Sequence, residues 1–337
     1  RIGRTVEANA AGAQASAADL EAVRLSAQAQ LAQNYFQLRA LDAQQQLLED
    51  AVSTYAKSLE MTKNRYAAGV VAKVDVVQAQ TQLKATQAQA IDIGVQRAQL
   101  EHAVALLVGK PASGFSIPRA PLNAAPPTVP SALPSALLER RPDIAAAERR
   151  MAAANAQIGV AKAAFFPVLA LSASTGLQSA SMADWFTIPS RFWSIGPAIA
   201  LSIFDGGLRR AATDQAIAAY DANVAAYRQT VLTGFQEVED NLAALRILEQ
   251  EARVQEEALK AARQSVELTT NQYKSGIVSY LNVIAVQATT LSNERASIDI
   301  LNRRLAAAVL LVKALGGGWN ESLLPSKEAL IGRSRGP

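Results

Sequence analysis

The chain has 337 residues, half of them hydrophobic but only 5% aromatic, with 33 basic side chains against 29 acidic ones and no cysteine. So few rings exclude a thick globular core, where aromatic side chains supply much of the buried area, and the missing thiols exclude disulfides, zinc–thiolate sites and cysteine nucleophiles. The +4 excess is interspersed along the chain instead of clustered on one face, which argues against a nucleic-acid-binding protein.

From Ala13 to Val108 there is no proline, and the only glycines are Gly69 and Gly94. A stripe of Leu41, Gln45, Leu48, Val52, Tyr55, Leu59, Thr62 and Tyr66 alternates spacings of four and three, the period of helices coiled together. The pattern turns at Asn64-x-Tyr66-x-x-Gly69, where glycine can take a positive φ and reverse the chain. A proline-rich segment follows, and eleven of the 13 prolines fall between Pro111 and Pro197.

The middle of the chain changes period. Leu169, Leu171, Ala173, Thr175 and Leu177 alternate with small or polar residues, and so do Trp193, Ile195, Pro197, Ile199, Leu201 and Ile203. A period of two predicts two strands, each with one apolar face, of about 10–13 residues, the length of a tilted membrane strand. Trp185, Phe186, Phe192 and Trp193 cluster at the connection like an aromatic girdle. The pattern also fits a soluble hairpin packed on helices. Exposure of Leu169, Leu171, Ile199, Leu201 and Ile203 separates the two readings. No stretch reads as a transmembrane helix; the long uncharged run from Ala163 to Ala183 is broken by Pro167 and Gly176.

From Leu208 to Leu315 there is again no proline, and the only glycines are Gly234 and Gly276. The outgoing stripe is Leu248, Ala252, Gln255, Leu259, Ala262, Val266, Thr269 and Tyr273; the return arm carries Leu281, Ile284, Leu291, Leu305 and Val312. This block repeats the first at a constant offset of 207 residues from Asn34 to Gly109, through Asn64/Asn271, Tyr66/Tyr273, Gly69/Gly276, Arg97/Arg304 and Gly109/Gly316. A gapless match of this length marks an internal duplication. Arms of about 40–55 residues would span roughly 60–80 Å at 1.5 Å per residue.

The predicted organisation is a long helical hairpin over 1–109, a proline-rich segment over 110–142, a helix over 143–166, a β-hairpin over 167–207, a second long helical hairpin over 208–315 and a tail over 316–337. Arg1-Ile2-Gly3-Arg4 resembles the end of the junction Phe204 to Arg210, with Ile2 opposite Leu208 and Arg4 opposite Arg210, which predicts a further β-hairpin upstream. Two strands cannot close a barrel in lipid, so a membrane reading requires strands from several subunits.

Leu133-Pro134-Ser135-Ala136-Leu137-Leu138-Glu139-Arg140-Arg141-Pro142-Asp143-Ile144 with Ala147-Glu148, Phe165-Phe166-Pro167, Phe204-Asp205-Gly206-Gly207 and Ala314-Leu315-Gly316-Gly317-Gly318-Trp319 occur in the order seen in outer-membrane efflux channel proteins. The chain resembles that family over nearly its whole length, most closely the lipoprotein branch serving resistance-nodulation-division pumps. The resemblance implies a homotrimer in the outer membrane of a Gram-negative bacterium: twelve shared strands form a β-barrel, the helices form a periplasmic α-barrel, and 110–134 is equatorial. It also implies a periplasmic adaptor and an inner-membrane pump below. Tyr273 matches the family's gate tyrosine and Asp75 its acidic partner, a pair able to form a charge-assisted latch. Gly69, Val70, Val71, Gly276, Ile277 and Val278 match the adaptor-contact tips, and Leu169, Leu171, Leu177, Ile195, Ile199, Leu201 and Ile203 the lipid-facing strand positions. Val278, Asn282 and Ala285 stand where some members carry charged gate residues. The implied function is a passive, gated export duct; the alternative is a structural coiled-coil scaffold.

No enzyme, metal or cofactor is expected. His102, the single histidine, reads as a packed or interfacial residue, and Glu237, Glu239 and Asp240 as a solvated helix face. Gly316-Gly317-Gly318 lacks the lysine and the strand–helix context of a phosphate loop.

Overall fold

The computed structural model describes residues 1–126 and 140–332, so Leu133 to Glu139 of the family signature lie outside the described residues. The elements are α1 (Ile2–Ala67), α2 (Lys73–Leu107), α3 (Pro142–Ala163), β1 (Val168–Leu177), β2 (Arg191–Ala200), α4 (Leu208–Lys274), α5 (Tyr280–Ala314) and a short α6 (Lys327–Gly332). Among the described residues no helix is long and apolar enough to cross a membrane.

The outgoing helices are longer than the sequence suggests, 66 and 67 residues, and the return helices shorter, 35 each. Alanine, glutamine, leucine and charged straight-chain residues all favour helix, so α1 and α4 continue upstream of the duplicated block with nothing to stop them. Both end in the same device. Gly69 (φ 70°) and Gly276 (φ 76°) take the left-handed turn. Gly69 N donates to Tyr66 O (2.9 Å) and Val70 N to Arg65 O (2.9 Å); Gly276 N donates to Tyr273 O (3.0 Å) and Ile277 N to Gln272 O (2.9 Å). This paired pattern satisfies carbonyls that the helix end would otherwise leave free.

The chain divides into two compact units. One comprises residues 1–20, 142–232 and 321–337. In it the start of α1 and α3 bury alanines: Ala8, Ala11, Ala15 and Ala18 on one helix, Ala145, Ala146 and Ala156 on the other, with Ile144. Side chains this small bring helix axes close. Arg150 Nη2 donates to both Asp19 carboxylate oxygens, and Gln14 Nε2 to Pro325 O (3.0 Å).

The same unit carries the β-hairpin. β1 and β2 pair antiparallel, with Leu169 opposite Ile199, Leu171 opposite Pro197, Ala173 opposite Ile195 and Thr175 opposite Trp193. Directly opposed residues share a face, so the odd positions form one apolar face. The other face is small and polar, with Ser174 Oγ and Ser194 Oγ 2.7 Å apart. Two expectations change. β2 stops at Ala200, the partner of Val168, because β1 begins only after Pro167; Leu201 and Ile203 therefore lie beyond the strand. Phe192 sits opposite Gly176 on the small face, where a Cβ on Gly176 would meet its ring at 2.7 Å. It is therefore separated from Trp193, which is on the apolar face.

The second unit comprises residues 21–141 and 233–320. Its first stripe is buried from Leu41 through Thr62 except for the half-buried Val52, and Tyr66 emerges 46% exposed. On α5 Leu291 and Leu305 of the predicted stripe are buried, but at its two ends the buried face is offset to Tyr280, Val283 and Leu311, while Leu281 and Val312 are exposed. The offset arises because α5 also packs against the first hairpin: Leu41, Leu48, Ile93 and Leu291 form one cluster.

Residues 115–121 form a strap laid on the first hairpin and tied by buried charges. Asp42 accepts from Arg39 Nη1 (2.8 Å), Arg97 Nε (2.7 Å) and Ala120 N (3.3 Å). Arg39 also donates to Pro118 O (2.7 Å), and Arg97 to Ile117 O (2.7 Å) and Glu101 (3.2 Å); Glu101 in turn accepts from Ile117 N. Two guanidiniums face two carboxylates, so the cluster is neutral and the strap's turned-in backbone groups are paired, as buried polar groups must be.

Arg141 is 5% exposed and donates to Glu237 (2.7 Å) and Ala314 O (3.1 Å). Glu237 is therefore an ion-pair partner and not only a solvated acid. His102 lies exposed on α2, not packed, because the neighbouring Val104 and Ala105 carry that turn's contact.

Candidate functional site

At the tips of the second unit all four long helices share one cluster. Tyr55 and Leu59 come from α1, Ala79 and Leu83 from α2, Tyr273 from α4, and Tyr280 and Val283 from α5. Thr62 is fully buried beside them, its hydroxyl returned to Ser58 O (2.8 Å). The rings of Tyr273 and Tyr280 lie 5.3 Å apart and tilted by 56°. Burial pushes the phenol pKa values of Tyr55 and Tyr280 above their ordinary value.

The duplicated tyrosines have parted company. Tyr66 is exposed, whereas Tyr273 is 2% exposed. Beside that cluster, Arg65 of the first hairpin covers Tyr273, its guanidinium standing 4.8 Å above the ring centroid. Arg65 Nη1 also donates to Tyr273 O (3.2 Å) and Lys274 O (3.3 Å), the last carbonyls of α4. A cation placed there meets both the ring's negative face and the negative end of the helix dipole.

Sequence reasoning missed Arg65. The signal was a mismatch: inside the repeated Asn-x-Tyr motif, Arg65 pairs at offset 207 with the uncharged Gln272.

The structure places Asp75 in the first turn of α2, half-buried. Among the described residues the Tyr273 hydroxyl has no hydrogen-bond partner and is shielded from solvent. The phenol–carboxylate bond to Asp75 is thus not made within this chain. Val70 (61% exposed) and Ile277 (73%) project from the two turns, with Val71 and Val278 half-buried behind them. An open groove of about 580 Å³ runs beside the first tip, lined by Lys57, Glu60, Met61, Asn64 and Arg65 among others. Among the described residues no three histidine or acidic side chains are grouped to hold a metal.

On the β-hairpin, Leu169, Leu171 and Ile199 are 70%, 72% and 75% exposed, and Trp185, Phe186 and Trp193 are also exposed.

The family model described as outer membrane efflux protein matches residues 1–110 and 133–317. The chain is 36% identical over 307 residues to "Outer membrane protein OprJ" of Pseudomonas aeruginosa, covering 89% of this chain and 63% of that protein. It thus spans less than two thirds of that relative's length. A crystal structure of a membrane protein from Pseudomonas aeruginosa superposes with a TM-score of 0.88 at 35% identity, over 95% of this chain and 72% of the other. The outer-membrane channel OprN superposes with a TM-score of 0.89 at 30% identity, over 95% and 72%.

Proposed function

Since the chain belongs to the outer membrane efflux protein family, we propose that it is the outer-membrane channel subunit of a tripartite efflux pump: a passive, gated duct carrying drugs or other small molecules across the periplasm and outer membrane. One observation carries the reading. The apolar face of the hairpin lies open, with Leu169, Leu171 and Ile199 at 70% or more, and among the described residues no helix covers it. In water such a face is a liability; in lipid it is the required surface. A pair of strands also has two free edges, which lipid does not tolerate, so further strands and further subunits complete a barrel. A homotrimer sharing twelve strands meets that requirement. The scaffold alternative needs the same leucines buried.

The helical hairpins form the periplasmic tunnel in this reading, and their tips form its mouth. Tyr273 and Asp75 belong to the gate, where a rearranged tip can give the unpartnered phenol an acceptor. Gly69, Val70, Val71, Gly276, Ile277 and Val278 receive the periplasmic adaptor, below which stands the inner-membrane pump. The duct is no enzyme: energy comes from the pump. Leu177, Ile195, Leu201 and Ile203 extend the lipid contact, and Trp185, Phe186 and Trp193 sit at its border.

Detergent extraction of the full-length protein, mass measurement and planar-bilayer recording test this. A detergent-dependent trimer that conducts ions is expected. A monomer that needs no detergent would overturn the channel in favour of the scaffold.

A further inference from the structure

We infer that Arg65 is the fastener of the closed tip, a positioning residue that ties the first helical hairpin to the second and whose release opens the mouth. The inference rests on the channel reading for its consequence but on the tip's geometry for its substance.

Three contacts converge on one side chain. The guanidinium covers the Tyr273 ring at 4.8 Å, and Nη1 donates to the carbonyls of Tyr273 and Lys274. The Tyr273 carbonyl already accepts from Gly276 N, whereas among the described residues no backbone N–H outside the helix reaches that of Lys274, which lies beyond the turn's own bonds. Arg65 thus supplies what the helix end lacks. It does so across the gap between hairpins, since it stands on α1 and its targets on α4.

The duplication sharpens the point. The two turns are built identically, yet only the first copy carries the arginine, and Gln272 stands at the matching place. The fastening is therefore one-way: Tyr273 is covered and Tyr66 is not. An arginine also suits a releasable contact. Its charge is half-buried here, so parting the hairpins returns it to water and to full hydration, which offsets part of what is lost. The Tyr273 hydroxyl contributes no bond to closure, since it has no partner among the described residues. Ring and backbone do the holding, and both survive replacement of tyrosine by phenylalanine.

The test uses the full-length protein; residues 1–337 hold no cysteine that a label would also mark. Cysteines replacing Ala67 and Ser275, both exposed at the two turns, carry spin labels in one subunit diluted among unlabelled ones. Unlabelled proteins are recorded in bilayers. Arg65→Gln is expected to split the tip distance into closed and longer populations and to raise the open fraction more than about tenfold, the scale of losing one charge-assisted hydrogen bond. Arg65→Lys, which keeps the charge but not the planar fork, falls between. Tyr66→Phe, at the exposed tyrosine of the first copy, matches wild type, and melting of all three variants stays within a few degrees. Unchanged distances and conductance in Arg65→Gln would overturn the inference, as would opening in Tyr273→Phe alone, which assigns closure to the phenol. A distance change in Arg65→Gln with no conductance in any protein, wild type included, upholds the fastener and removes the channel reading.

Discussion

Replacing Asp42 by alanine probes the charge cluster under the strap. Asp42 is 6% exposed and receives Arg39, Arg97 and the backbone N–H of Ala120. Its removal leaves two guanidiniums in a cluster with only Glu101 to balance them, and deleting one partner of a buried ion pair costs about 3–5 kcal/mol. For a unit of this size each kcal/mol lowers the melting temperature by about 2–4 °C, so the loss should be roughly 6–20 °C. The comparison is Arg119→Ala. Arg119 pairs with Glu49 at 3.1 Å on the same strap, but the two side chains are 57% and 46% exposed, and such surface pairs contribute about 0–1 kcal/mol. Thermal melts followed by helical circular dichroism measure both, and tryptic cleavage reports whether the strap has lifted. If Asp42→Ala melts within 2–3 °C of Arg119→Ala, the cluster is not what holds the strap and the reasoning is wrong.

Three further outcomes are expected. The raised phenols of Tyr55 and Tyr280 favour the neutral form in the packed tip, so their contribution is complete below an ordinary tyrosine pKa of about 10 and lost as pH rises through the raised values; tyrosinate absorbance and tip proteolysis should rise together above about pH 10, and a tip that loosens on acidification instead contradicts this. Leu171→Arg places a charge on the apolar face at a cost of about 2–4 kcal/mol at the bilayer midplane, whereas Ser172→Arg lies on the opposite face; assembly in outer-membrane fractions should drop for the first only, and equal loss refutes the face assignment. Ala18→Leu, at a position with no exposed surface, overpacks the alanine seam and should destabilise by about 1–3 kcal/mol in chemical denaturation; an unchanged midpoint would show the seam has room.

What could be read from the sequence was what repeats. The offset of 207, the absence of proline from the long arms and the period-two runs led to both helical hairpins, both glycine turns and the strand pair, because each is written in local spacing. What could not be read joins positions far apart. The strap depends on residues 42, 97, 101 and 117–120 meeting, and no periodicity announces that. Phe192 was assigned by its proximity to Trp193, but adjacent strand residues face opposite ways. Arg65 escaped because a search for matching positions passes over those that differ, and its meaning appears only when Tyr66 and Tyr273 are seen in unlike surroundings. Leu281 and Val312 fit a two-helix stripe, but the return helix serves neighbours on two sides.

The alternation of β1 and β2 has a consequence before any barrel exists. A chain bound for the outer membrane must first be threaded through the inner one, where long unbroken apolar stretches are retained as spanning helices. Along most of the two strands a large apolar side chain is followed by a small or polar one, as Leu169-Ala170-Leu171-Ser172 and Ile195-Gly196 show. The greasy surface is stored at half density along the polypeptide and becomes continuous only when the chain is extended and paired. The same spacing that supplies a lipid-facing wall thus lets the protein pass, unrecognised, through the membrane where it does not belong.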